Sequence, residues 1–282
     1  MEVIRGIGRM REFVREQRLA GKQIGLVPTM GYLHAGHLSL VQEALKACDV
    51  VVMSIFVNPL QFGVGEDYED YPRDLTRDSE LAEEGGVAAI FAPSVAEMYP
   101  PGGYYSYVDV EKLTEGLCGK SRPGHFRGVT TVVTKLFNIV QPDIAVFGQK
   151  DAQQAIVIQR MVRDLNMPLR IIVAPIMREA DGLAMSSRNV YLSPSERKAS
   201  LVLSRALNIA GELAANGERD ANVLRKAIET QIQAEPLARI DYVEIVGAED
   251  LKPVEILQGR ILIALAVFFG KTRLIDNRIV EV

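Results

Sequence analysis

Five short runs of apolar residues alternate with stretches of helical spacing over most of this 282-residue chain. The runs are apolar on both faces, which is typical of strands buried between two layers of helices. They cover Ile24–Val27, Val50–Val57, Ala88–Ala92, Ile144–Phe147 and Ile171–Ile176. The helical stretches are Leu38–Cys48, Asp74–Glu84, Thr130–Val140 and Ala152–Leu165. This alternation predicts βαβ units and a parallel sheet in an α/β fold.

The pattern changes after about Ile176, where runs of helix precede runs of strand. Two long helices are expected at Pro194–Asn216 and Asp220–Ala234, followed by strands at Arg239–Val246, Arg260–Phe269 and Thr272–Asp276. Short turns between these strands favour antiparallel pairing. We therefore expect a Rossmann-like, parallel-sheet nucleotide-binding domain at 1–176 and a smaller α+β domain at 177–282. An amphipathic helix is expected in Met1–Leu19.

Composition excludes several classes of protein. A net charge of −4 argues against a broad nucleic-acid-binding surface. The two cysteines, Cys48 and Cys118, give no disulfide framework and fit a reducing cytosol. The N-terminus lacks the apolar core of a signal peptide, and the longest apolar runs are too short to span a membrane. We expect a cytoplasmic protein that binds neither nucleic acid nor membranes.

Two of the three histidines, His34 and His37, lie between the first buried strand and the helix that follows it. In an open α/β sheet this edge is where ligands bind. A helix start offers free N–H groups and the positive end of its dipole to phosphate. Gly36, between the histidines, lets a triphosphate approach the backbone closely. The segment indicates nucleotidyl transfer, in which catalysis is mainly positioning and charge neutralisation.

Two other interpretations of the histidine pair stay open. A histidine at a helix start often serves only as a cap or a packing residue. A zinc site is the second alternative, but zinc needs at least a third protein ligand. Neither His125 nor the two cysteines, Cys48 and Cys118, are spaced as a companion motif.

Polar residues also follow the second strand and fill a later loop. Asn58 and Gln61 bring amides to the sheet edge, and an amide both donates and accepts, which suits a hydroxy acid. An Asn-Pro turn alone would explain Asn58 but not Gln61. The segment Lys120–Gly128 concentrates cations, His125 and glycines. It either binds phosphate or carboxylate or forms a solvated charge cluster.

Two further segments carry phosphate-binding chemistry. Phe147–Gln154 follows a buried strand, and Lys150 within it suits phosphate. Asp151 either begins the next helix or binds ribose hydroxyls. Met185–Asn189 supplies two hydroxyls and a guanidinium, which suit a leaving pyrophosphate, although such triplets also occur in exposed loops.

Five motifs occur in the order and spacing of one family, and on them the chain resembles the pantoate–β-alanine ligases over essentially its full length. They are Pro28–His37, Ser54–Phe62, Arg122–Gly128, Phe147–Asp151 and Ser186–Asn189. The resemblance implies a nucleotidyltransferase that first converts ATP and pantoate, with Mg²⁺, into pantoyl adenylate and pyrophosphate. β-Alanine then displaces AMP to give pantothenate. It also implies a homodimer.

The resemblance further assigns roles to matching residues. The catalytic set, which faces the ATP phosphates, is His34, His37, Lys150, Ser186, Ser187 and Arg188, with His37 matching the family's catalytic histidine. The remaining ATP-binding residues are Met30, Gly31, Gly36, Gly148, Asp151, Met177 and Met185. Pantoate and β-alanine are bound by Gln61, Gln154, Met30, Asn58 and Arg122. Asp78 matches a metal-linked acid.

Three rival functions fit these residues less well. A nucleotidyltransferase with a phosphate-bearing acceptor would need more cations than Gln61 and Gln154 provide. An aminoacyl-tRNA synthetase is disfavoured by the short, acidic chain. A non-catalytic ATP-sensing protein would not need the transition-state donors His34, His37 and Lys150. Gln149 and Ala152 depart from the family pattern beside the expected adenosine site.

Overall fold

A computed structural model describes all 282 residues and confirms the α/β fold. Six strands form one wholly parallel sheet in the order β1-β4-β3-β2-β5-β6. They are β1 (Glu2–Ile4), β2 (Ile24–Thr29), β3 (Val50–Ile55), β4 (Ala89–Phe91), β5 (Ile144–Gly148) and β6 (Arg170–Ala174). The order reverses between β2 and β5, which creates the switch point at which ligands bind in such sheets.

Ten helices and three further strands complete the chain. The helices are α1 (Ile7–Leu19), α2 (Ala35–Leu45), α3 (Leu75–Glu84), α4 (Val95–Met98), α5 (Leu117–Ser121), α6 (His125–Val140), α7 (Ala152–Asp164), α8 (Pro194–Ala199), α9 (Val202–Ala215) and α10 (Ala221–Gln233). The strands β7 (Ala238–Gly247), β8 (Arg260–Phe269) and β9 (Thr272–Glu281) pair antiparallel, as the turn sequences predict. None of the helices has the length and apolar content that crossing a bilayer requires.

The chain divides into two compact units. The first unit comprises Met1–Glu111, Arg122–Gly148 and Val157–Pro175, and the second comprises Lys112–Ser121, Gln149–Ile156 and Ile176–Val282. The second unit thus takes two short segments from within residues 1–176. The predicted division after Ile176 lies one residue from the last of these boundaries and does not anticipate the two segments. The domain boundary itself stays a prediction.

The core of the first unit forms where α2 packs on the sheet. Val27 of β2 and Met53 of β3 are fully buried against Leu40 and Val41 of α2. Because β2 and β3 pair in register from Ile24 opposite Val50 to Thr29 opposite Ile55, their carboxyl ends lie side by side. Burial of these side chains holds the loops that follow both strands.

The second unit is built around β8, which is buried on both faces. Successive side chains of a strand point to opposite faces of the sheet, so Ile263 and Leu265 face one side of β8 and Leu262 and Ala264 face the other. Ile261, Ile263, Leu265 and Val267 pack in a cluster with residues of α9 and α10. Leu262 and Ala264 pack in a second cluster with Leu117 and Ala152. β8 therefore contributes side chains to a core cluster on each of its two faces.

The structure departs from the predicted elements at several places. The segment Lys120–Gly128, expected as a loop, includes the end of α5 and the first residues of α6, so this helix begins at His125 and not at Thr130, and β9 continues past Asp276 to Glu281. Glu2–Ile4 forms a short edge strand paired with β4, so the amphipathic helix begins only at Ile7. The single helix predicted at Pro194–Asn216 is two helices, α8 and α9. The side chain of Ser200 donates to the carbonyl oxygen of Arg197 at 2.7 Å where they meet, which competes with the helical hydrogen-bond ladder.

Gly128 in α6 lies against the turn that follows β3. A Cβ atom at this position would overlap the carbonyl group of Leu60. Gly8 in α1 has no atom within 4 Å of the corresponding position. The two helical glycines therefore differ in the space beside them.

We expect Gly128→Ala to lower the free energy of unfolding by about 1–3 kcal/mol, because the helix must move away from Leu60. Gly8→Ala, the matched control, is expected to raise it by up to about 1 kcal/mol, because alanine favours the helix. Urea unfolding of both variants measures the difference. Equal effects of the two substitutions would contradict the close packing of Gly128.

Candidate active site

The two histidines of the sequence motif lie at the start of α2, as predicted, and their rings stack. The ring centroids are 4.0 Å apart. The Nδ1 atom of His34 accepts a hydrogen bond from the backbone N–H of Gly36 at 3.1 Å. The Nδ1 atom of His37 accepts one from the backbone N–H of His34 at 3.3 Å. Each histidine therefore satisfies a main-chain donor that the helix start leaves open.

These contacts decide which nitrogen of each ring carries the proton. A nitrogen that accepts an N–H bond is deprotonated, so in the neutral ring Nε2 bears the hydrogen. His34 and His37 thus both present Nε2–H donors. The capping interpretation of the pair and the phosphate-binding one are compatible, because capping uses Nδ1 and places the proton on Nε2.

Asp78 holds the loop that precedes the histidines. Its carboxylate is 1% exposed and accepts from the backbone N–H groups of Tyr32 and Leu33, both at 2.7 Å. Burial raises the pKa of Asp78, and the two N–H bonds oppose that rise. Gly31 and Tyr32 adopt left-handed backbone angles, with φ of 87° and 51°. Such a turn needs fixed partners for its N–H groups, and Asp78 supplies them.

Asn58 and Gln61 interact with each other at the end of β3. Asn58 is 1% exposed. Its Oδ1 accepts from the Leu60 N–H at 3.3 Å and from the Tyr99 hydroxyl at 2.8 Å. Its Nδ2 donates to the Gly128 carbonyl at 3.1 Å and to Gln61 Oε1 at 3.2 Å. The two backbone partners fix the amide orientation of Asn58, which in turn fixes that of Gln61.

Because Asn58 binds Gln61 Oε1, the Nε2 atom of Gln61 points away from Asn58. This atom lies 3.0 Å from the sulfur of Met30. The structure thus brings together Met30, Gln61 and Asn58, three of the predicted substrate-binding residues. The hydrogen bonds of Asn58 engage its own amide and Gln61 Oε1, but not Gln61 Nε2 or the Met30 side chain.

Arg122 and His125 support the same turn from the start of α6. His125 Nδ1 donates to the Gln61 carbonyl at 2.8 Å, because a carbonyl only accepts. His125 Nε2 is then the acceptor for Arg122 Nη1 at 3.1 Å. Arg122 also forms a fork with Glu66, with N–O distances of 2.7 and 2.6 Å. The cation-rich motif therefore positions Gln61, which neither of its sequence-based interpretations anticipates.

In the second unit, Lys150 lies in a short 3₁₀ turn, Gln149–Asp151, that leads into α7. Asn277 of β9 donates from Nδ2 to the carbonyl oxygens of Gln149 and Lys150 at 2.9 and 3.0 Å. Gln154, on the first turns of α7, is half-buried. The turn is thus fixed by a residue more than a hundred positions away.

The serine-rich motif follows a hairpin in the same unit. The Met185 N–H donates to the Met177 carbonyl at 3.0 Å, and Arg178 and Ala184 form an antiparallel bridge. Ser186 then caps a 3₁₀ turn over Ser187–Tyr191 by accepting from the Arg188 N–H at 3.2 Å. A main-chain hydrogen bond therefore joins Met185 to Met177, and the hairpin fixes the start of the turn that carries Ser187 and Arg188.

The sequence-based site residues thus form one group in each unit. The first unit holds Met30, Gly31, His34, Gly36, His37, Asn58, Gln61, Asp78, Arg122 and Gly148; the second holds Lys150, Asp151, Gln154, Met177, Met185, Ser186, Ser187 and Arg188. Their roles stay predictions. Sequence reasoning missed Tyr99 and Asn277, whose side chains contact motif residues through the tertiary fold, and Asp276, which binds Arg178 in the hairpin that precedes Ser186. Asp276 and Asn277 carry no local signal of these contacts, because polar and apolar residues are mixed along the whole of β9.

No group of three or more His, Cys, Asp or Glu side chains in the chain is arranged to hold a metal ion. The zinc alternative therefore gains no support from the geometry. The expected metal-linked role of Asp78 stays a prediction, and both of its oxygens already accept main-chain hydrogen bonds.

Comparison with known proteins gives a consistent result. The family model described as Pantoate-beta-alanine ligase matches residues 2–279. The pantothenate synthetase of Heliobacterium modesticaldum is 66% identical over 282 residues, which is 100% of both chains. A crystal structure of pantothenate synthetase from Thermus thermophilus is 48% identical, with a TM-score of 0.94 and 99% of each chain covered. The Francisella tularensis pantoate-beta-alanine ligase, complexed with beta-gamma ATP and beta-alanine, is 34% identical, with a TM-score of 0.81 and coverage of 99% and 97%.

The Arg122–Glu66 fork gives a pH-dependent prediction. Burial raises the pKa of Glu66, but hydrogen bonds and charge from Arg122 outweigh it and hold the pKa below the usual value of 4.5. A carboxylate with a depressed pKa stabilises the folded state above its unfolded pKa and loses that effect as the pH falls. We expect Glu66→Gln to lower the free energy of unfolding at pH 7, and the difference from wild type to shrink below pH 4.5.

Urea unfolding of both proteins across this pH range measures the effect. Glu69→Gln, at an exposed acid in the same loop, is the control and is expected to change little at any pH. A difference between wild type and Glu66→Gln that stays constant with pH would contradict the ion pair's contribution.

Proposed function

The chain belongs to the pantoate-beta-alanine ligase family and is an ATP-dependent enzyme of pantothenate synthesis, and we propose that it works through two half-reactions. In the first, a carboxylate oxygen of pantoate attacks the α-phosphorus of ATP, and pyrophosphate leaves. In the second, the amine of β-alanine attacks the acyl carbon, AMP leaves, and the amine nitrogen loses a proton. The observation that carries the proposal is the pair of Nε2–H donors that the α2 start fixes in place.

The main obstacle to the first step is repulsion between two anions. A carboxylate is already a competent nucleophile at neutral pH, so no general base is needed to generate it. Donors that meet negative charge as it develops on phosphate oxygens lower the barrier without rearranging during the reaction. His34 and His37 are suited to this role, because hydrogen bonds at Nδ1 hold both rings in position.

Gln61 is proposed to bind pantoate through a defined end of its amide. Asn58 engages Oε1, so Nε2–H is the end available to a ligand, and its complement is an acceptor such as a carboxylate or hydroxyl oxygen. Met30, in contact with this atom, supplies an apolar neighbour. Asn58 and Arg122 are proposed to act on the substrate through Gln61, since both contact the turn that carries it.

The residues of the second unit are proposed to bind the nucleotide. Lys150 and the turn bearing Ser186, Ser187 and Arg188 supply a cation, hydroxyls and a guanidinium for phosphate oxygens. Gln154 is proposed to join Gln61 in binding pantoate. The residues proposed for adenosine and the adjoining phosphates are Gly31, Gly36, Gly148, Asp151, Met177 and Met185.

Mg²⁺ is proposed to accompany ATP. Such ions are usually held by substrate phosphates, waters and one or two carboxylates, and would neutralise phosphate charge. Asp78 is the residue that the family resemblance links to the metal, but both of its oxygens are occupied by backbone N–H groups. The donor set of this chain therefore does not form a metal cage.

We also propose a homodimer in the cytoplasm. Sedimentation equilibrium at micromolar concentration distinguishes a dimer from a monomer. The alternative of an ATP sensor without turnover is not favoured, because the full-length relatives are named as synthetases or ligases.

Exchange of labelled pyrophosphate into ATP, dependent on pantoate and without β-alanine, tests the first half-reaction. We expect exchange in the wild type and a loss of about 10²–10³-fold in His37→Ala and Lys150→Ala, because each removes a positioned donor. Lys226→Ala, at an exposed lysine of α10, is the control and should exchange normally. Near-normal exchange in both variants would refute the assigned roles.

Gln61→Glu tests the orientation of the amide. The substitution replaces the Nε2 donor by a carboxylate oxygen that repels the substrate carboxylate. We expect the KM for pantoate to rise by about tenfold or more, as for a lost hydrogen bond to a charged group, with a small change in the KM for ATP. Gln258→Glu, at an exposed turn, is the control and should change neither value. An unchanged pantoate KM in Gln61→Glu would contradict the orientation.

A further inference from the structure

Asn277 occupies the middle of β9 and makes three hydrogen bonds to one short turn. Its Nδ2 donates to the carbonyl oxygens of Gln149 and Lys150 at 2.9 and 3.0 Å. Its Oδ1 accepts from Gln149 Nε2 at 3.2 Å. The side chain is 4% exposed. An amide has two N–H donors and a carbonyl acceptor, and here all of these groups are directed at the turn that carries Lys150.

The neighbouring residue, Asp276, holds a different segment. Its two oxygens accept a fork from Arg178, with distances of 2.7 and 2.9 Å, and the side chain is 2% exposed. Arg178 also donates to the Gly182 carbonyl at 3.0 Å and so braces the hairpin from Met177 to Met185. Charge-assisted forks of this kind are among the stronger side-chain hydrogen bonds.

The strand geometry explains how one dipeptide reaches two segments. Successive side chains of a strand point to opposite faces of the sheet. Asp276 pairs with Leu265 and Asn277 with Ala264 of β8, the doubly buried centre of the unit. The two side chains therefore project from a rigid support in fixed and different directions.

We propose that Asp276 and Asn277, here called the β9 clamp, are positioning residues that set the Lys150 turn and the hairpin preceding Ser186 for phosphate binding. This inference rests on the proposed function of Lys150 and the serine-rich turn. Removing Asn277 leaves two part-buried carbonyl groups without these donors, so the turn shifts or gains mobility. A shift of about 1 Å in a positioning element far from the chemistry can cost about 100-fold in rate.

The test combines Asn277→Leu, which keeps a similar volume without polar atoms, with Lys150→Ala in a double-mutant cycle. We expect Asn277→Leu to lower kcat of pantoate-dependent pyrophosphate exchange by about 10- to 100-fold, with little change in the pantoate KM. In the Lys150→Ala background, the same substitution should change kcat by less than about twofold, because it acts through Lys150.

Asn208→Leu is the matched control. Asn208 is exposed on α9 and accepts a hydrogen bond from Arg278, the next residue of β9, at 2.8 Å, without contacting the Lys150 turn. It should leave kcat unchanged. If Asn277→Leu does not fold, Asn277→Ser, whose hydroxyl retains one donor, goes through the same cycle with a smaller expected loss.

Hydrogen–deuterium exchange of the peptide covering residues 149–156 provides a readout that does not depend on turnover. The amides of this peptide should exchange faster in Asn277→Leu than in wild type and Asn208→Leu. An equal loss of kcat with and without Lys150 would show a merely structural effect and overturn the proposal, as would unchanged kcat and exchange. Absence of pyrophosphate exchange in the wild type would instead refute the proposed function, and the deuterium measurement alone would then decide whether the clamp holds the turn.

Discussion

Main-chain N–H and C=O groups in the loops of this protein need hydrogen-bond partners where water has limited access, and buried polar side chains supply them. Asp78 accepts from two N–H groups before α2, Asn58 bridges Leu60 and Gly128, and Asn277 binds two carbonyl groups before α7. Leaving such groups unpaired costs about 1–3 kcal/mol each. The conformation of the loops therefore depends on these few side chains.

One consequence is that residues of one motif position residues of another. Arg122 and His125 bind the Gln61 carbonyl, and Asn58 binds its side chain. A polar residue in a motif is easily interpreted as a ligand-binding group. Here the contacts show that several such residues act on Gln61, so fewer side chains remain to touch substrate than the motifs alone suggest.

In the histidine pair, too, a side chain provides a hydrogen-bond partner for the main chain. A ring nitrogen that caps the helix also fixes the ring, and it leaves the proton on the opposite nitrogen. In both His34 and His37, Nδ1 therefore has the structural role of accepting a main-chain hydrogen bond, and Nε2–H is the group proposed for chemistry. The fixed Nε2–H groups match the demand of phosphate chemistry for donors that need no rearrangement.

The sequence by itself determined the parallel sheet, the antiparallel C-terminal strands and the family, because periodicity and local motifs record which residues are buried and how each loop begins. It did not reveal the edge strand Glu2–Ile4, since three residues carry little periodicity. Only the tertiary structure decided which nitrogen of each histidine donates, which end of the Gln61 amide Asn58 engages, and that Asn277 binds the Lys150 turn. The contacts of Asn277 with this turn join residues up to 128 positions apart, and no local pattern encodes such a pairing. It arises when β9 pairs with β8 and so brings the Asn277 amide against the two part-buried carbonyl groups of the turn.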